Sequence, residues 1–79
     1  MKVNVYFYAE GIDMFVPNAR FGEKTEVEAP EGAIVGDVLK KLGIPLNVFG
    51  VLLNGKSVPY DKKCSENDSI YIVEAINGA

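Results

Sequence analysis

"PEGAIVGDVLKKLGIP", residues 30–45, is the stretch on which the fold turns. Val35, Val38, Leu39 and Leu42 fall at i, i+3, i+4 and i+7, the spacing of a helix with one buried stripe. Its end is marked twice. Gly43 stands where a left-handed residue closes a helix, and Pro45 forbids continuation. Asp37 in the first turn and Lys40 and Lys41 in the last suit the helix dipole, the two lysines reading as a solvated helix end. Ile34 occupies the N-cap position, so the start lacks a side-chain cap of its own. No other segment carries a helical period.

The flanking segments read as strands. In "VNVYFY", residues 3–8, Val3, Val5 and Phe7 point one way and Asn4, Tyr6 and Tyr8 the other. "AEGIDMFVPNARFG" follows as a long loop, with Gly11, Pro17, Asn18 and Gly22 as turn residues, before "KTEVEA" alternates again. Within that loop some of Met14, Phe15 and Val16 are expected to tuck under the sheet, because a free apolar tip is a liability. Beyond the helix, Asn54-Gly55 inside "VFGVLLNGKSV" is a two-residue hairpin turn, since both central residues need positive φ. "PYDKKCSENDS" is a polar connection with Asn67 suited to a left-handed turn position, and "SIYIVEAI" is the last strand.

The order is therefore strand, strand, helix, strand, short strand, strand. One helix covers only one face of such a sheet. The expected class is α+β: a β-grasp, ubiquitin-like fold with a mixed sheet of four to five strands around one helix. Residues 1–79 form one domain, with a short flexible tail at about 76–79.

Composition removes several function classes. A chain of 79 residues has room for one core. A net charge of −3, with eight scattered Lys and Arg, lacks the basic stripe of a nucleic-acid binder. With no His and one Cys there is no Ser-His or Cys-His pair, no His-containing zinc site and no four-thiolate cluster. The unpaired Cys fits a reducing compartment, and the N-terminus lacks a signal-peptide run. Apolar runs such as Val51–Leu53 are far too short to cross a bilayer. A cytoplasmic protein, not an enzyme by itself and without a membrane partner, is expected.

Three segments in order resemble the MoaD/ThiS family of sulfur-carrier proteins: "EAPEGAIVGDVLKKLGI", "VLLNGKSV" and "ENDSIYIVEAINGA". The resemblance implies that an adenylating enzyme of ThiF/MoeB type activates the C-terminal carboxylate. ATP and magnesium would bind that enzyme and not this chain. A sulfur donor would then convert the acyl-adenylate to a thiocarboxylate for molybdopterin, thiamine or another product. Chain length and the long first loop place it nearer the molybdopterin-type branch. A molybdopterin synthase large subunit or a thiazole synthase would be a further partner. Gly78 and Ala79 match the family's terminal Gly-Gly, and Ala79 departs from it by one methyl. Asn77 precedes them, and "VEAI" stands where molybdopterin-type members show a Pro-Pro-Val-like stretch. The alternatives are a binding module that has lost activation and a ubiquitin-like protein modifier.

The candidate residues follow. Gly78 and Ala79 carry the carboxylate. Tyr6, Tyr8, Tyr71 and Val73, on the face away from the helix, are candidates for partner binding, together with Ile76 and Asn77 in the tail. For the four on the sheet, plain strand propensity is the competing explanation. Cys64 sits at a position the family fills with a core Leu and is expected to be a buried structural thiol. Asp61, Glu66 and Asp68 read as a solvated loop able to meet basic groups of an adenylating enzyme, with unconvincing metal-ligand spacing.

Overall fold

The computed structural model describes residues 1–75, and Ile76, Asn77, Gly78 and Ala79 lie outside the described residues. Among the described residues five strands and one α-helix appear in chain order: β1 (Lys2–Tyr8), β2 (Lys24–Glu28), α1 (Val35–Leu42), β3 (Phe49–Leu53), β4 (Lys56–Ser57) and β5 (Ser69–Glu74). A 3₁₀ turn (Ile12–Met14) lies between β1 and β2. The sheet order is β2-β1-β5-β3-β4. β1 and β5 are parallel at the centre, with Tyr6 opposite Tyr71 and Tyr8 opposite Val73. The other pairings are antiparallel. This is the expected β-grasp arrangement.

The core lies between α1 and one face of the sheet. Val3, Val5, Phe7, Ile70 and Ile72 from the central strands meet Val35, Val38 and Leu39 from the helix, all buried. Among the described residues no polar or charged side chain is buried there. Each such aliphatic side chain contributes about 1.5–3 kcal/mol by leaving water.

Both helix ends are satisfied by specific partners. At the C-terminus Gly43 adopts φ 83°. Its N–H donates to the Lys40 carbonyl at 3.0 Å, and the Ile44 N–H donates to Leu39 at 2.9 Å. This is the paired closure that a left-handed glycine permits, and Ile44 is buried beneath it. At the N-terminus the missing cap is replaced from two sides. The Asp37 carboxylate accepts the Ile34 N–H at 3.0 Å. The Val35 and Gly36 N–H groups donate to the Lys62 and Tyr60 carbonyls at 2.9 and 2.8 Å. A loop distant in sequence thus supplies acceptors for the first helical N–H groups.

The hairpin turn is left-handed at both positions, Asn54 at φ 52° and Gly55 at φ 89°. Asn54 does more than turn. Its Nδ2 donates to Asp68 Oδ1 at 3.0 Å and its Oδ1 accepts the Ser69 N–H at 2.9 Å. Asp68 Oδ2 accepts the Ser65 N–H at 2.7 Å, and both Glu66 carboxylate oxygens accept the Lys2 N–H at 2.8 and 3.1 Å. The loop expected to be merely solvated is therefore stitched to the sheet by two of its carboxylates, while Asp61 stays exposed.

Two other expectations change. Lys41 is no free helix end, because its Nζ bonds the Glu28 carbonyl at the edge of β2. The first loop carries core as well: Ile12 is buried in the 3₁₀ turn. Phe15 meets Phe49 edge-to-face at 5.7 Å, and Val16 packs against the core, whereas Met14 is 81% exposed. Phe15 and Val16 tuck under as expected, and Met14 does not.

Cys64 is buried, and burial pushes its thiol above the ordinary cysteine range, with Asp68 and Asp37 adding to the shift. A thiol held protonated and shielded is a poor nucleophile. An aromatic disulfide reagent at neutral pH is expected to leave the native protein unmodified and to label it fully in urea. Asp68→Ala is expected to lower the unfolding free energy by about 1–2 kcal/mol, through a lower urea midpoint at unchanged slope. Asp61→Ala should move it by less than about 0.5 kcal/mol.

Candidate functional site

Strand alternation gives the sheet a second face that α1 does not cover. With Val3, Val5, Phe7, Ile70 and Ile72 turned into the core, Tyr6, Tyr8, Tyr71 and Val73 are placed on the other side. The parallel register sets them side by side. The Tyr6 and Tyr71 rings stack with centroids 4.7 Å apart and planes 14° from parallel. Tyr8 lies 6.1 Å from Tyr71. Leu52 stands opposite Tyr71 across the β3–β5 pairing, and Gly50 opposite Val73. Space at Gly50 is tight: a Cβ there would sit 3.0 Å from Val73 Cγ2.

Sequence reasoning missed one member of this face. Phe21 is 62% exposed and meets Tyr8 edge-to-face at 5.5 Å. It belongs to the loop and obeys no strand period. Gly22, next in sequence, donates its N–H to the Phe7 carbonyl, and that bond returns Phe21 to the side of Tyr8. An aromatic immediately before a turn glycine was the available signal.

The patch is uncharged at its centre and charged along the β2 side. Lys24 stands opposite Tyr6 and Glu26 opposite Asn4, and Lys2 pairs with Glu26 at 3.7 Å. At the other end, where β5 finishes, Glu10, Asn47, Val48, Phe49, Glu74 and Ala75 line one hollow. The Tyr60 hydroxyl pins the wall of that hollow, accepting the Asn47 N–H at 2.9 Å and donating to the Phe49 carbonyl at 3.2 Å. Val48 between them is 45% exposed. An open sheet face of aromatic rings, beside the point where the chain leaves β5, is equipped to bind a protein surface.

The structure thus brings Tyr6, Tyr8, Tyr71 and Val73 together. Ile76, Asn77, Gly78 and Ala79 fall outside the described residues. Cys64 belongs to the core. No helix among the described residues is long and apolar enough to cross a membrane.

Comparison with known proteins extends this picture. The Mut7-C ubiquitin family matches residues 1–76. No functionally curated protein matches the sequence. Among solved structures, the fold is similar to small archaeal modifier protein 1 of Haloferax volcanii, at TM-score 0.72 and 16% identity over 95% of this chain and 98% of that one. A Pyrococcus furiosus protein assigned as molybdopterin converting factor, subunit 1, gives TM-score 0.74 and 20% identity over 96% and 99%. A chain from the complex of subunits 1 and 2 of molybdopterin-converting factor from Helicobacter pylori gives 0.60 and 20% over the full length of both. These likenesses establish the fold. Matched by the family over residues 1–76, this chain belongs to the Mut7-C ubiquitin family and has the ubiquitin-like β-grasp fold.

Proposed function

We propose that this protein is a sulfur carrier whose C-terminal carboxylate is activated by an adenylating enzyme of ThiF/MoeB type. The observation that carries the reading is the placement of the end of β5. Glu74 and Ala75 line a hollow together with Val73, Gly50 and Leu52 of the uncovered sheet face. A partner seated on that face is therefore positioned to receive the segment that follows residue 75. Similarity in fold to a molybdopterin converting factor subunit and to an archaeal modifier protein supports the same reading.

In this reading the carboxylate of the last residue attacks the α-phosphorus of ATP, and pyrophosphate leaves. Hydrosulfide then attacks the acyl carbonyl, the C–O bond to AMP breaks and AMP leaves, and a thiocarboxylate remains; a persulfide donor would instead form an acyl disulfide, whose S–S bond a second thiol must reduce. The chain's own part is to present a narrow, unbranched backbone to that site. Gly78 suits it, because a side chain there would obstruct close approach. Ala79 adds one methyl at the reacting residue, where small misplacement is costly. ATP and magnesium belong to the partner. The sulfur then passes to an acceptor enzyme such as a molybdopterin synthase large subunit, the molybdopterin-type branch being favoured over a thiazole synthase. These steps take place in the cytoplasm.

A second reading has its own observation. The tail reads Asn-Gly-Ala instead of Gly-Gly, while the tyrosine face is fully formed. This favours a β-grasp binding module that keeps its partner without being activated.

ATP–pyrophosphate exchange catalysed by the MoeB-like enzyme of the same organism separates the two. The carrier reading expects exchange dependent on this protein, lost on deletion of residues 78–79 and raised about tenfold or more by Ala79→Gly. It also expects Tyr8→Ala and Tyr71→Ala each to weaken binding of the enzyme about tenfold. The binding-module reading expects no exchange, with binding lost only in the tyrosine variants. Larger covalent conjugates in cell extract, cleaved by no reductant, would instead point to a protein modifier.

A further inference from the structure

The two edges of the sheet are finished differently. β4 is two residues long and gives an added strand little to pair with. β2, at the other edge, runs for five residues. Its register on β1 fixes which of its backbone groups turn inward. The Phe7 N–H donates to the Glu23 carbonyl, and the Ala29 N–H donates to Met1. Antiparallel pairing alternates, so Glu23, Thr25, Val27 and Ala29 face β1, whereas Lys24, Glu26 and Glu28 turn their backbone groups away from the sheet. Lys41 Nζ reaches the Glu28 carbonyl from that outer side. Among the described residues, the N–H and C=O groups of Lys24 and Glu26 and the N–H of Glu28 have no hydrogen-bond partner. Such a row of unpaired groups is a template for one more strand.

Charge decides which strand fits. The side chains of Lys24, Glu26 and Glu28 are exposed on the tyrosine side, level with Tyr6, Asn4 and Lys2 of β1. An antiparallel strand on this edge needs a base opposite Glu28 and an acid opposite Lys24. Read in reverse, β2 is itself that strand. We propose that β2 pairs with the β2 of a second copy, antiparallel about a two-fold axis at Glu26, and joins two sheets into one. Lys24 of each copy then faces Glu28 of the other, and Thr25 faces Val27, both β-branched. The two Glu26 side chains meet at the axis, and Lys2, 3.7 Å from Glu26 in each copy, offsets their repulsion. A register shifted by two would set Lys24 against Glu26 and avoid that meeting. It would also bring Glu28 opposite Gly22, which is left-handed at φ 87° and off the strand, so the Glu28 N–H would stay unpaired. Lys41 does not close the edge, because the Glu28 carbonyl has a second lone pair. One strand pair falls short of the roughly 1,200 Å² that stable interfaces bury, so the dimer is concentration-dependent. Its axis is perpendicular to the sheet, which leaves both tyrosine faces open on the same side. The pairing does not depend on the carrier reading.

The test is sedimentation equilibrium of the full chain from micromolar to millimolar concentration. A monomer–dimer equilibrium is expected. Lys24→Glu and Glu28→Lys should each weaken it about tenfold, because each sets like charges opposite one another at both symmetric positions. The two changes made together should restore it, a rescue that a misfolded variant could not show. Glu26→Gln should tighten the dimer about threefold by removing the like charges at the axis. Glu26→Cys should form an intermolecular disulfide on mild oxidation, since the Cα atoms of such a facing pair lie about 5.5 Å apart. The buried Cys64 should take no part in it. A monomer at every concentration would overturn the proposal. So would a dimer that is indifferent to the charge exchange and abolished by Tyr71→Ser, which would be joined through the tyrosine faces. A monomer whose β2 amides gain protection from hydrogen exchange only when another protein is added would give the edge to that protein and overturn it as well.

Discussion

Because β1 and β5 lie parallel at the centre of the sheet, the chain cannot join them by a hairpin; it must leave the sheet and come back. Nearly everything else follows from that pairing. The return route includes α1, which covers one face and closes the core. The same pairing puts the C-terminal ends of both central strands at one end of the molecule, so Glu10 and Glu74 meet there. It also sets Tyr6 against Tyr71 on the face the helix leaves open. A core, a docking face and an exit for the chain all depend on one register. A shift of that register by a single residue would turn the tyrosines inward and the isoleucines out.

The two ends of the sheet are built differently. At the start of β5 the loop carboxylates are engaged in hydrogen bonds to Lys2, Asn54 and Ser65. At its finish the carboxylates are unengaged, and a tyrosine hydroxyl holds the neighbouring wall. One end is fastened and the other presents charge and rings to solvent. That asymmetry suits the proposed role, in which this protein is the substrate of another enzyme.

Much of this was legible in the residues themselves. The apolar stripe from Val35 to Leu42, the Gly43 stop and the Asn54-Gly55 turn are local signals, and local physics decided them. The alternation in β1 and β5 placed Tyr6, Tyr8, Tyr71 and Val73 on the open face correctly. What stayed hidden depended on contacts between segments far apart in sequence. Ile34 looked like an uncapped start because its neighbours' acceptors come from Tyr60 and Lys62. Lys41 looked solvated because its partner is a carbonyl on β2. Glu66 looked like a free charge because its donor, the Lys2 N–H, lies on β1, and Asp68 because one of its donors, the Asn54 side chain, lies in the hairpin turn. Ile12 and Phe21 sit in a loop without a period; the burial of Ile12 had no sequence signature, and Phe21 was marked only by the turn glycine that follows it. Gly78 and Ala79 rest on the family resemblance alone.

The central claim is that the tail ending in Asn77, Gly78 and Ala79 is a working group. Its most direct test is the intact mass of the protein purified from its own cells without reducing or alkylating agents. The account predicts a population heavier by the exchange of one oxygen for one sulfur, with the change located in the C-terminal peptide. A single unmodified species, under conditions in which sulfur-transfer pathways are active, would contradict it and leave the tyrosine face as a binding surface only.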